Sequence, residues 1–133
     1  MKLATATGDF AGYGLSVEEC VKLVHDAGFK YVDFSMGGQR FFSNDNWKEE
    51  VLKLRDYAES LGMTFVQAHS PDGKIWNPED AERYVKLATR AVEICEILGI
   101  PQVVVHAGYQ KGVSIDEFYE KNQEFYKRLF TIM

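Results

Sequence analysis

Cysteine is scarce in this sequence: 133 residues contain two, Cys20 and Cys95, at a separation that matches no metal-binding spacing. Both fall on the apolar stripes of predicted helices, which marks them as reduced, buried thiols of a cytoplasmic protein. Positive charge is in deficit, with 15 Lys plus Arg against 20 Asp plus Glu and a net charge of −5. That balance argues against a nucleic-acid partner, because broad binding rests on neutralising phosphates, although a small basic pocket is still allowed. No apolar run approaches the ~20 residues that span a bilayer. The opening residues Met1–Gly8 lack the hydrophobic stretch of a secretory signal, so no membrane partner is expected. Also missing are the GxGxxG and Walker glycine loops and the GxSxG elbow, and Gly37-Gly38 is too short to cradle a phosphate. Nucleotide-cofactor and serine-hydrolase chemistry fall away.

What is present is enough for one core: 46% hydrophobic and 14% aromatic residues. Four helices are signalled by their starts. Ser16-Val17-Glu18-Glu19 and Ser114-Ile115-Asp116-Glu117 have the form of capping boxes, and Asn46-Trp47-Lys48-Glu49 is a looser version. Asn77-Pro78 pairs a cap with a proline at the first helical position. Gly28, Gly62 and Gly99 follow the last apolar residue of the first three helices, where a left-handed turn is wanted. β-rich runs precede each helix: Leu3–Thr7, Tyr31–Ser35, Thr64–His69 and Val103–His106. The order is βαβαβαβα, which implies a parallel sheet with right-handed crossovers.

Helix-to-strand connections are two or three residues, whereas strand-to-helix loops run to about eight to ten. Ligands of parallel α/β folds bind on the side of those long loops, at the carboxyl ends of the strands. Alternation within the strands sets Val32 and Phe34 against Asp33 and Ser35, Val66 and Ala68 against Gln67 and His69, and Val103 and Val105 against Val104 and His106. One-sided polarity suits a barrel mouth better than an open sheet covered on both faces. A (β/α)8 barrel needs ~250 residues. The expected fold is therefore α/β, four βα units forming half of a (β/α)8 TIM barrel with parallel strands. Residues 1–133 make a single partial domain, and the apolar stripe of the fourth helix runs on to the last residue. An open flavodoxin-like receiver is the structural alternative, its acidic cluster after the first strand reduced to Asp9.

The stretches Ala27–Asp33, Leu61-Gly62-Met63, Gln67-Ala68-His69-Ser70-Pro71, Leu98–Pro101 and Val104-Val105-His106-Ala107-Gly108 resemble the first half of xylose-isomerase-like TIM barrels. That superfamily holds sugar-phosphate isomerases and epimerases, inositol-catabolism enzymes and apurinic endonucleases. The resemblance implies chemistry at a divalent metal (Mn, Mg, Co or Zn) whose carboxylate ligands and proton-transfer glutamates come from strands five to eight, none of them in this chain. It implies His69 and His106 as metal ligands in the endonuclease branch, and as contacts to substrate hydroxyls in many sugar branches. Many members carry an acidic residue, often Glu, at the end of the second strand; in this chain Asp33 is nearest.

His69 and His106 end adjacent strands, and neighbours in a parallel sheet lie ~5 Å apart, so the two imidazoles can share one ligand. They are the candidate catalytic residues; a buried pair satisfied by backbone carbonyls is the plainer alternative. Asp33, Gln67, Trp76 and Tyr109 are the candidate substrate contacts. Gln67 either orients the His69 ring or fills a polar barrel layer. Trp76 and Tyr109 offer stacking faces for a sugar. Arg40 and Lys74 are the available loop cations for a phosphate, and His25 reads as a surface residue. Which residues hold a metal is left open. The expected reading is the amino-terminal half of a metal-dependent sugar or sugar-phosphate isomerase or epimerase, inactive by itself. A phosphodiesterase half-barrel and a non-catalytic, assembling sugar-binding domain are the alternatives. The uncharged Val103-Val104-Val105 edge and the aromatic stripe of the fourth helix lead to an expected homodimer or higher oligomer that closes the half barrel.

Overall fold

The structure, a computed structural model, describes residues 1–132. Strands β1 (Ala4–Ala6), β2 (Tyr31–Ser35), β3 (Thr64–His69) and β4 (Val103–Val104) alternate with helices α1 (Val17–Asp26), α2 (Trp47–Ser60), α3 (Pro78–Leu98) and α4 (Ile115–Phe130). All pairings are parallel and the spatial order is β1-β2-β3-β4, the sequential order of a barrel wall. The α/β fold of four parallel βα units is the one expected: half of a TIM-barrel arrangement.

Local chemistry explains most element boundaries. At α1 both arms of the capping box close: Ser16 Oγ accepts the Glu19 N–H at 3.2 Å, and the Ser16 N–H reaches Glu19 Oε2 at 2.7 Å. These bonds hold the Glu19 carboxyl below the usual range. Asn77 Oδ1 accepts the Asp80 N–H at 2.8 Å, and Pro78 opens α3. Ser114 caps α4 through the Glu117 N–H. Asn46 does not cap α2 as its sequence suggested. Its backbone (φ −88°, ψ 14°) is not extended, and an extended N-cap is what aims the side chain at the free N–H groups. Gly99 closes α3 at φ 66°, in the left-handed region where a Cβ is costly. The fourth helix ends at Phe130, where Thr131 returns its hydroxyl to the Arg128 carbonyl; Met133 lies outside the described residues.

Two strands are shorter than their β-rich runs. β1 gives way after Ala6 to a 3₁₀ segment, Thr7–Tyr13, and β4 leaves the ladder after Val104. A third departure changes which faces are which. Val32 pairs with Phe65 but Asp33 pairs with Gln67, so Val66 is an extra residue in β3. This bulge lets Phe65 and Ala68 both face the helices, with Val66 and Gln67 on the opposite side. The plain alternation that grouped Val66 with Ala68 is corrected accordingly.

The helices cover one face of the sheet. Val32, Phe34, Phe65 and Ala68 are buried against Val17, Val21 and Val24 of α1, Val51, Leu54 and Ala58 of α2, and Ala91, Ile94 and Cys95 of α3. A second cluster, with Ile75, Tyr84, Val85, Ala88, Phe125 and Leu129, joins α3 to α4. Both cysteines are buried and unpaired, as their helix positions required. The other face of the sheet is concave, open and polar, lined by Ala4, Ala6, Asp33, Val66, Gln67 and Gln102.

Candidate functional site

β2, β3 and β4 end at about the same height, and their inward side chains form one hydrogen-bonded chain. Gln102 Nε2 donates to Gln67 Oε1 at 2.8 Å, and Gln67 Nε2 donates to Asp33 Oδ2 at 2.9 Å. His69 Nε2 lies 3.3 Å from the same Asp33 oxygen and 3.2 Å from Gln67 Nε2. His69 Nδ1 lies 3.2 Å from His106 Nε2, with the two rings stacked 5.3 Å apart at 24°. The bulge at Val66 puts Gln67 and His69 beside Asp33 and Ser35 in this array.

The protons follow from the partners. The Gln67 amide nitrogen only donates, and it meets His69 Nε2 at 3.2 Å, so that ring nitrogen is the acceptor. His69 Nδ1 then carries the proton and donates to His106 Nε2 at 3.2 Å. His106, the exposed end of the chain, then presents Nδ1–H as a donor to a ligand oxygen. Asp33 Oδ1 is buried and has no hydrogen-bond partner among the described residues. It is the one carboxylate oxygen at the site whose desolvation is uncompensated.

Above the strand ends lies a cavity of ≈ 420 Å³ lined by Ala6, Asp9, Ser35, His69, Asp72 and His106, among others. Its floor continues into the concave face of the sheet, a hollow of ≈ 620 Å³ that includes Asp33, Gln67 and Gln102. The residues present do not by themselves suit a metal ion. His69 spends both ring nitrogens on neighbours, and among the described residues no three His, Cys, Asp or Glu side chains converge on a point.

This architecture, four consecutive parallel βα units, has a counterpart in a known family. The xylose isomerase-like TIM barrel profile matches residues 21–133. The chain belongs to the xylose isomerase-like TIM barrel family. Among solved structures, a family 2 AP endonuclease from Brucella melitensis aligns with a TM-score of 0.70 at 14% identity, covering 97% of this chain and 50% of that one. A D-psicose 3-epimerase studied in the presence of D-fructose gives the same four values. The D-psicose 3-epimerase of Clostridium cellulolyticum H10, with D-tagatose, aligns at 0.67 and 14%, covering 99% of this chain and 48% of that one. This chain therefore spans about half the length of the barrels it matches, and at such identities the likeness shows the fold. No curated protein matches the sequence.

Of the residues singled out in the sequence, His69, His106, Asp33 and Gln67 come together. Trp76 does not join them: it lines a separate pocket of ≈ 120 Å³ between the start of α3 and α4, beside Asn77, Lys121 and Arg128. Tyr109 is exposed at 73% and lines none of the cavities described. Arg40 is bound by Glu18 and Glu50, each at 2.7 Å, and so is not a free phosphate ligand. His25 is an exposed partner of Asp26. Gln102 was not singled out, although its parity with Val104 and His106 places it on the same strand face.

Proposed function

We propose that this chain forms the amino-terminal half of a sugar or sugar-phosphate isomerase or epimerase barrel, and that His69, His106, Asp33 and Gln67 bind and orient the substrate. One observation carries the reading: the unbroken hydrogen-bonded row from Gln102, just before β4, through Gln67 to His69 and His106 at the strand ends, where it opens to a cavity of ≈ 420 Å³. Alternating donors and acceptors at fixed heights suit a polyhydroxylated ligand, whose successive hydroxyls each give one hydrogen and accept another. Asp33 and the histidine pair hold and relay protons at the substrate's edge. The full reaction is proton transfer beside a carbonyl. A divalent metal and the proton-transfer carboxylates belong to the whole barrel in this reading, and their ligands lie on further strands.

The two D-psicose 3-epimerases among the similar structures favour sugar chemistry. The equal TM-score of the AP endonuclease supports phosphodiester cleavage as a second reading, and the net charge of −5 weighs against it. The half barrel is proposed to close by association with a second copy, since β1 and β4 are open edges and Tyr119 and Phe130 of α4 are exposed. The direct test is a titration with D-fructose and D-fructose 6-phosphate, read by imidazole NMR. Selective shifts at His69 and His106, with His25 unmoved, are expected. Silence at both rings at high millimolar sugar, or cleavage of abasic DNA, would overturn the sugar reading.

A further inference from the structure

Sheet hydrogen bonds stop short of His106. β3 makes its last bond to β4 at the Val104 carbonyl, which accepts the Ser70 N–H at 2.9 Å. The next stretch, 105–108, carries His106 and is gripped by side chains from two helices. Tyr126 of α4 donates its hydroxyl to the Val105 carbonyl at 3.0 Å, and Tyr84 of α3 donates to the His106 carbonyl at 2.6 Å. Asn122 of α4 takes both polar groups of Gly108: Nδ2 donates to its carbonyl at 3.0 Å, and Oδ1 accepts its N–H at 2.8 Å.

These contacts are built rather than incidental. Asn122 is a buried amide whose Nδ2 also donates to the Phe118 carbonyl at 2.9 Å, so neither end of it is left unmade. An aliphatic residue of the same volume would fill this helix interface without needing partners. The grip also acts from both sides of the chain. The carbonyls of Gln102 and Val104 face β3, so by strand alternation that of Val105 faces the open edge, where Tyr126 meets it.

We propose that Tyr84, Asn122 and Tyr126 are positioning residues for His106. They replace a strand partner in fixing its backbone, and so set the 3.2 Å contact with His69 and the direction in which the ring meets a ligand. The functional consequence rests on the sugar-site reading above; the positioning does not.

Histidine-selective ¹H–¹⁵N NMR of the protein tests this, with His25 on α1 as internal reference. Tyr84→Phe removes the hydroxyl and keeps the ring that stacks on Phe125 at 4.6 Å. Asn122→Leu removes the Gly108 bonds at similar volume. Expected in each is a shift of the His106 Nε2 and His69 Nδ1 signals, loss of the inter-ring contact, and an unmoved His25. Amide exchange at Gly108 should rise about tenfold or more in Asn122→Leu. Unchanged His69 and His106 signals in the folded variants would overturn the proposal. Should Asn122→Leu fail to fold, Tyr84→Phe and Tyr126→Phe give the same readout. If the variants shift His106 but sugars leave it unmoved in the native protein, the positioning stands and the ligand reading of His106 fails.

Discussion

Gly73 occupies space that Tyr84 needs. A Cβ built at Gly73 falls 2.1 Å from Tyr84 Cγ and 2.7 Å from Tyr84 Cβ. Those atoms are the root of the ring, and they move only if the α3 backbone or the loop moves. Tyr84 is 1% exposed, stacked on Phe125, and tied by its hydroxyl to the His106 carbonyl, so it has no empty rotamer to adopt. The φ of Gly73 is not positive, which leaves steric overlap as the sole penalty of Gly73→Ala. Overpacking of this kind costs about 1–3 kcal/mol. For a chain of this length that is a fall in Tm of roughly 3–12 °C. Urea and thermal unfolding followed by circular dichroism measure it, with two glycines as rulers. At Gly108 an added Cβ meets Ile75 side-chain atoms at 2.6 and 2.9 Å, which rotate more readily, and at Gly12 it meets nothing within 4 Å. The expected order of damage is Gly73, then Gly108, then Gly12 with none. A Gly73→Ala protein that melts with the native one refutes the packing deduced around Tyr84.

Burial pushes the Tyr84 phenol up to about 12 from an ordinary value of 10. The folded state thus favours the protonated form, and the stability it confers is whole below pH 10 and lost as pH climbs through about 12. Absorbance titration should show one tyrosine ionising only with unfolding; complete, reversible ionisation of the folded protein would contradict this. The Cys95 thiol, raised to about 12 by burial, should resist thiol reagents until the chain unfolds. Arg40→Met breaks two ion pairs of a guanidinium that is 41% exposed, so it should cost no more than about 1 kcal/mol and less in high salt. A larger loss that ignores salt would show that Arg40 holds the loop by some other means. Sedimentation equilibrium at low micromolar concentration should find a dimer or larger species; a cooperatively melting 15.2 kDa monomer would remove the proposed closure.

The fold was legible because its signals are local. Ser16, Asn77 and Ser114 mark helix starts through bonds to residues three positions on, and the glycine after each of the first three helices marks the turn into the next strand. His69 and His106 were legible as a pair because strand ends in successive βα units fall side by side. Trp76 was misplaced because loop direction is set by tertiary packing: its ring turns to the α3–α4 cluster, away from the strand ends. Tyr84 and Asn122 read as ordinary helix residues, since the carbonyls they hold lie 22 and 14 positions away in the chain.

The extra residue at Val66 means that β3 changes phase halfway along. Its first half buries odd-numbered Phe65 against the helices, and its second half buries even-numbered Ala68. Were β3 to pair straight on through Val66 with no bulge, Phe65 would stay seated, Gln67 and His69 would turn toward the apolar helix layer, and Ala68 would enter the cavity. The polar row would be cut at its middle with no change of sequence, whereas deletion of Val66 itself would restore plain alternation and keep the row. Register in this strand is therefore as informative as residue identity. When this chain is aligned with other barrels, a single gap placed on the wrong side of Val66 exchanges the inside of the barrel for its outside.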